Sequence, residues 1–171
     1  MNFKEYSVIR KKGKKEILIS VILYIVATVV GLFSMLFLLG IRLSQIAALA
    51  LFGFYYLAYR LSSGMNKEFE YAFIDDQVTV DVIKNRKHRK RVLKFSMAET
   101  EIIASVNDAE SASWLRKSYD KTIDVTSRSK LATVYFAVIN NEKHILLKFE
   151  PTRSALLDLY KFAPSKIKIS E

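Results

Sequence analysis

One stretch of this chain limits its fold more than any other. From Ile17 to Tyr59 there are 43 residues, and Arg42 is the only charged one. Uncharged runs cover Ile17–Ile41 and Leu43–Tyr59, divided at Gly40-Ile41-Arg42. A helix needs roughly 20 apolar residues to cross a ~30 Å hydrocarbon core. The stretch therefore reads as a transmembrane helical hairpin over 17–60, with spans near 17–38 and 43–60 and a tight turn between them. One long buried helix would place Gly40, Arg42 and Gln45 at its centre, where each is a poor choice. A cleavable secretory signal has an apolar core of roughly 7–15 residues. Here the run is longer, and more apolar sequence follows the small residues Ala48-Leu49-Ala50.

The charges beside this stretch set its expected orientation. Residues 1–16 carry Lys4, Arg10, Lys11, Lys12, Lys14 and Lys15 against Glu5 and Glu16, and Arg60 and Lys67 follow the second run. Lys and Arg flanking a span stay on the cytoplasmic side. The expectation is a multi-pass protein of the cell membrane with both termini cytoplasmic, residues 39–44 outside, and a basic cytoplasmic tail over 1–16. Tyr55, Tyr56 and Tyr59 fall where an interfacial aromatic belt belongs. Ala27 with Gly31, and Ser44 with Ala48, have the four-residue spacing that lets helices approach closely, within the hairpin or against another membrane protein. Neither run contains an acid, which argues against a proton relay built by this chain alone.

Leu61-Ser62-Ser63-Gly64 is a polar break, and residues 65–171 form the expected cytoplasmic domain. Phe69, Tyr71 and Phe73 alternate with Glu68, Glu70 and Ala72, which predicts a strand with one buried face. Asp75-Asp76 is a turn signal, and Val78, Val80 and Val82 continue in a second strand. Lys84-Asn85-Arg86-Lys87-His88-Arg89-Lys90-Arg91 holds six basic residues and no acid, and it reads as the tip of the next hairpin before Val92, Leu93 and Phe95. A short strand is expected over 102–106. Residues 107–130 read as a loop with a short helical turn at 110–118 and a strand near 121–126. Leu131–Ile139 and His144–Phe149 pair across an Asn140-Asn141 turn. Pro151 opens a helix whose apolar stripe is Leu156, Leu159, Tyr160 and Ala163, and Pro164 ends it. The fold class is α+β: a two-helix transmembrane hairpin, then a bent antiparallel sheet of six or seven strands capped by a C-terminal helix.

This order resembles the bacterial PH-like, YcxB-like group of small membrane proteins of Firmicutes, and in particular an uncharacterised family with two spans and a cytoplasmic PH-like domain. The segments that carry the resemblance are Phe69-Glu70-Tyr71-Ala72-Phe73-Ile74, Val80-Asp81-Val82-Ile83-Lys84 with the basic run behind it, and Leu147-Lys148-Phe149-Glu150-Pro151 leading into Leu156, Leu159 and Pro164. The resemblance implies a binding module and brings no catalytic residue with it.

Little in the sequence suggests catalysis. The chain has no Cys and two His, which removes disulfides, thiolate metal sites and thiol chemistry. Asp75 and Asp76 read as turn formers. Glu99 with Glu101 and Asp120 with Asp124 have no partnering His, and His88 sits among cations. No Gly-x-Ser-x-Gly elbow or glycine-rich phosphate loop occurs. No enzyme, cofactor, metal or small-molecule substrate is expected.

The net charge of +10 therefore points to surfaces. The basic turn Lys84, Arg86, Lys87, Arg89, Lys90 and Arg91 has three readings: a solvated tip, contact with anionic lipid, or contact with nucleic acid or an acidic protein. Each Lys or Arg close to an anionic leaflet contributes ~1 kcal/mol. No aromatics are interleaved for base stacking, so nucleic acid is disfavoured. Arg10, Lys11, Lys12, Lys14 and Lys15 form the juxtamembrane basic group. Trp114 and Tyr119 are either a partner surface or residues buried under a loop. The expected function is a non-enzymatic integral membrane protein presenting a binding module at the inner leaflet. Its partners are the lipid bilayer and a protein partner, or a second copy met through the spans. The alternative is an accessory or structural subunit of a larger membrane complex, such as a transporter or signalling assembly.

Overall fold

The computed structural model describes residues 3–40, 44–85 and 87–169. Arg42 and Arg86 lie outside the described residues, as does the side chain of Ser44. The chain forms two units, one of Lys12–Asn66 and one of Met1–Lys11 with Lys67–Glu171.

The first unit is a pair of packed helices, α1 (Lys14–Gly40) and α2 (Ser44–Ser63). Glu16 in the first turn of α1 accepts the Gly13 N–H and so caps a free donor. Ala27 and Gly31, one turn apart, are the buried positions of α1. A β-carbon on Gly31 would sit 2.7 Å from Leu51 Cδ1, so glycine permits the close approach. Ala48, the expected counterpart on α2, is exposed, and the contact falls on Leu51 and on Ala58 (3% exposed) instead. Polar pairs link the helices. The Thr28 and Tyr55 hydroxyls are 2.8 Å apart, and Ser62 Oγ donates to Ser20 Oγ at 3.0 Å. Phe33, Leu36 and Phe37 are exposed. Among the described residues, α1 is the one helix long and apolar enough to cross a membrane by length and composition. On that test the expectation of two spans is met by α1 alone, since Tyr55, Tyr56, Tyr59 and Arg60 dilute the apolar character of α2.

The second unit holds two four-stranded sheets. The first is antiparallel, in the order β1 (Phe3–Ile9), β2 (Lys67–Ile74), β3 (Gln77–Lys84), β4 (His88–Ser96). The second comprises β5 (Thr100–Ser105), β6 (Lys121–Asp124), β7 (Tyr135–Asn140) and β8 (His144–Phe149), in the order β5-β7-β8-β6, with β6 parallel to β8. Between β5 and β6 lies a one-turn helix, α3 (Ala112–Leu115). After β8 come α4 (Arg153–Phe162) and a 3-10 turn, Pro164–Lys166. The sheet expectation is thus corrected from one bent sheet to two. Residues 131–134 are not part of β7, and Leu131 is exposed.

The largest correction concerns the N-terminus. Residues 3–9 are a strand of the domain and not part of a free tail: Phe3 pairs with Ile74, Tyr6 with Tyr71 and Ile9 with Glu68. Tyr6 and Val8 turn toward the core. The helices are therefore inserted between two neighbouring strands of one sheet.

Period two explains the packing. Phe69, Tyr71, Phe73, Val78, Val80 and Val82 from the first sheet meet Ile103, Tyr135, Ala137, Ile139, Leu147 and Phe149 from the second in one core. Ala155, Leu156, Leu159 and Ala163 close it, while Tyr160 is 42% exposed and lies off the expected stripe. The Thr152 hydroxyl caps α4 by accepting the Ala155 N–H at 3.3 Å. Tyr71 donates its hydroxyl to the Val125 carbonyl at 2.6 Å, and Tyr6 to the Glu150 carbonyl at 3.0 Å. Burial pushes both phenols well above their usual pKa.

Candidate functional site

Strand register decides where the basic turn lies. Arg10 N–H donates to the Lys67 carbonyl at 2.9 Å. Lys67 pairs with Lys84, and Lys84 with His88. The β3–β4 turn therefore shares one end of the first sheet with both chain segments that adjoin the helices. Asp75 and Asp76, between Ile74 and Gln77, occupy the opposite end. Asp75 and Asn85 take φ of 50° and 52° in these two turns, a left-handed conformation that Asp and Asn tolerate.

The basic run does not act as one patch. Asp81 retains 7% side-chain exposure, and its carboxylate lies 2.7 Å from Arg89 Nε and 3.4 Å from Arg91 Nε. Arg89 Nη2 is also 3.2 Å from Glu5 Oε1 and 3.0 Å from Glu70 Oε2. These groups come from four adjacent strands and share the outer face of the first sheet. A register shift between Val80 and Asp81 puts Arg91 opposite Asp81. The hydrogen bond to Asp81 holds the Arg89 guanidinium above its ordinary pKa. Glu5 and Glu70 share a hydrogen bond that lowers the first carboxyl and raises the second, and burial adds to the rise at Glu70. Glu70 is thus the group that keeps its proton longer.

Lys84, Lys87 and Lys90 remain. All three are exposed and make no ion pair among the described residues. Lys90 pairs in register with Val82, so it projects from the opposite face to Arg89 and Arg91. The acids that neutralise the two arginines carried no signal in the sequence. Glu5 and Glu70 look like the polar face of any half-buried strand, and Asp81 becomes a partner only through the hairpin register.

The juxtamembrane cations are also divided. Arg10 donates from Nη1 to the Asp124 carbonyl at 3.1 Å, faces Asp124 Oδ2 at 3.4 Å and lies 5.5 Å over the Phe69 ring. It straps β1 to β6. Lys11 N–H donates to the Ser127 carbonyl at 2.8 Å. Lys12 Nζ donates to the Ser62 carbonyl at 3.3 Å within the helical unit. Lys14 and Lys15 are exposed in the first turn of α1.

Trp114 and Tyr119 are half-buried on the outer face of the second sheet, over Ile102, Ala104, Phe136, Val138 and Leu146. The Tyr119 hydroxyl donates to the Trp114 carbonyl at 2.6 Å, and Lys117 Nζ stands 3.3 Å from the Trp114 ring centre. Among the described residues, no three His, Asp or Glu side chains are grouped to hold a metal ion.

Comparison with curated proteins gave no match, and neither did comparison with solved structures. The family described as Bacterial PH-like domain (DUF6106) matches residues 2–169, a span that takes in β1, both helices, both sheets and α4. The chain, helices and sheets together, belongs to this family of bacterial PH-like domains.

Proposed function

We propose that the protein is a non-enzymatic, membrane-anchored binding module whose PH-like domain meets an anionic cytoplasmic leaflet through Lys84, Lys87 and Lys90. One observation carries this reading: the register places these lysines at the end of the first sheet where the chain departs into α1 and returns from α2. A domain tied at that end to an inserted α1 presents the same end to the headgroups. The pairing of β1 with β2 also supports a two-pass topology. A chain that crosses in α1 must come back in α2, because β2 has to reach β1. Both strands then lie on one side, and Lys14, Lys15 and Arg60 favour the cytoplasm. α2 packs along α1, and the Thr28–Tyr55 and Ser20–Ser62 pairs join polar groups of the two helices.

Each lysine near the leaflet contributes about 1 kcal/mol, enough in sum to hold the tip against the headgroups without a shaped pocket. The chain has no native cysteine, so a single introduced thiol reports cleanly. His88→Cys carrying a polarity-sensitive fluorophore, in full-length protein reconstituted in nanodiscs, should shift to the blue when phosphatidylglycerol is included. Changing Lys84, Lys87 and Lys90 to Gln should abolish that shift. Emission indifferent to both lipid charge and these changes would overturn the reading.

A further inference from the structure

A second feature lies at the end of the domain that carries the basic turn. The segment after β6 is rooted in buried polar contacts. Ser127 donates its N–H and its hydroxyl to Glu150 Oε1 at 2.8 and 2.9 Å, and its Oγ accepts the Ser129 N–H at 3.1 Å. Arg128 follows with φ of 59°, a conformation arginine seldom adopts, so the anchored root sets the direction of the loop. The Ser127 carbonyl accepts the Lys11 N–H at 2.8 Å. Lys11 precedes Lys14, the first residue of α1, by three positions, a reach of at most about 11 Å. The root of the loop is therefore held to the end of β1 from which the chain leaves the sheets.

At the tip, Leu131 is 97% exposed, more than any other large apolar side chain described. Beside it opens a cleft of about 360 Å³ lined by Lys130, Lys148, Asn107 and Thr126, with Val106 and Val134 as its apolar wall. The acid at its edge, Asp124, is already engaged. Its Oδ1 accepts the Thr126 N–H and hydroxyl at 3.0 and 2.8 Å, and its Oδ2 faces Arg10 at 3.4 Å. Lys130 and Lys148 make no ion pair among the described residues. Lys130 and Lys148 against one carboxylate that already faces Arg10 leave the cleft net positive. A lone exposed leucine is ordinary on a protein surface. This one stands on an anchored loop, next to a cationic cleft, and the loop's root is bonded to Lys11 in the segment that leads out of β1.

We propose that this loop is a second membrane contact, in which an anionic phospholipid places its phosphate between Lys130 and Lys148 while Leu131 enters the acyl boundary. The inference rests on the membrane reading above and adds a lipid subsite distinct from the β3–β4 turn. The phosphate satisfies two otherwise unpaired cations, and the leucine loses its exposure to water. Because the loop is already held in shape, little ordering is needed on docking.

Three single-cysteine variants of the full-length protein in nanodiscs test this: Leu131→Cys at the tip, Val29→Cys in α1, and Glu142→Cys in the β7–β8 turn at the far end of the second sheet. With a fluorophore attached and iodide as aqueous quencher, the label at 131 should be quenched several-fold less than that at 142 in discs containing phosphatidylglycerol. Lys130→Gln or Lys148→Gln should shift the balance toward the quenched state by about fivefold each. A label at 131 quenched as strongly as that at 142, with 29 still shielded, would overturn the loop contact and leave the membrane reading intact. Quenching at all three sites would overturn the membrane reading itself. Shielding at 131 that ignores both lipid charge and the lysine changes would overturn the phosphate subsite.

Discussion

The two sheets share one core and differ on their outer faces. On the second sheet that face is apolar: Ile102, Ala104, Phe136, Val138 and Leu146 lie under Val106, Trp114, Leu115 and Tyr119. On the first it is ionic: Glu5, Glu70 and Asp81 surround Arg89, and Asp81 also holds Arg91. Apolar burial has no charge for a simple salt such as sodium chloride to screen and no group to titrate. Ion pairs with half-exposed partners are screened by salt, and each contributes little. The second sheet is therefore the scaffold, and the first carries the face whose charge can respond to its surroundings.

The sharpest way to break this contrast is Phe136→Ala. Phe136 is 0% exposed, and the loss should reach about 3–5 kcal/mol, unchanged by added salt in a denaturant titration of the full-length protein. Asp81→Ala should cost less, about 1–2 kcal/mol, because both guanidinium partners stay more than half exposed. The gap between this variant and the parent should narrow as salt is added. If the Asp81 gap proved as insensitive to salt as the Phe136 gap, the distinction between the two faces would fall. Asp81→Asn keeps the size, releases Arg91 and leaves the face one charge more positive although Arg89 still meets Glu5 and Glu70, so it should strengthen the blue shift of a His88→Cys label on anionic nanodiscs.

Glu70→Gln gives the smallest effect and the most specific one. The Glu70 carboxyl is raised above its usual value, so it favours the fold while protonated, and that contribution is lost as pH rises through the raised value. Gln keeps a hydrogen-bonding group toward Glu5 without the titration. The variant should be as stable as the parent near neutral pH, or slightly more so, and its melting temperature should lack the decline the parent shows on leaving the acidic range. Parallel curves for the two proteins would refute the protonated role of Glu70.

Much of the architecture was legible from side-chain alternation. Phe69, Tyr71 and Phe73, then Val78, Val80 and Val82, mark β2 and β3 because one face is apolar without interruption. Pro151 and Pro164 bracket α4 in the same local way, although the helix starts at Arg153 and its cap is Thr152, so Pro151 lies outside the first turn where it was expected. β1 was hidden because Lys4 and Arg10 to Lys15 satisfy the charge rule for a flanking tail, and Tyr6 with Val8 is too short a pattern to compete with it. The candidate site was legible as a run of cations and illegible as an electrostatic object. Whether Arg89 is free or paired depends on Glu5, Glu70 and Asp81, which are brought beside it by a four-strand register and a bulge that no local pattern encodes. Trp114 stood out as a lone aromatic, and its packing on Phe136 depends on how residues 106–119 fold back over the second sheet.

The insertion of the helices between β1 and β2 also fixes an order of assembly. Residues 3–9 leave the ribosome before their hydrogen-bonding partner, residues 67–74, which emerges only after the whole apolar segment has been made. Until then β1 is a strand with no neighbour, and Tyr6 and Val8 have no core to join. The cost of closing so long a loop grows only with the logarithm of its length, and pairing of α1 with α2 brings its two ends together. The helices thus act as the clasp that delivers β1 to its place, so damage to their packing, for example at Gly31, should be felt as slow completion of a sheet that contains none of the altered residues.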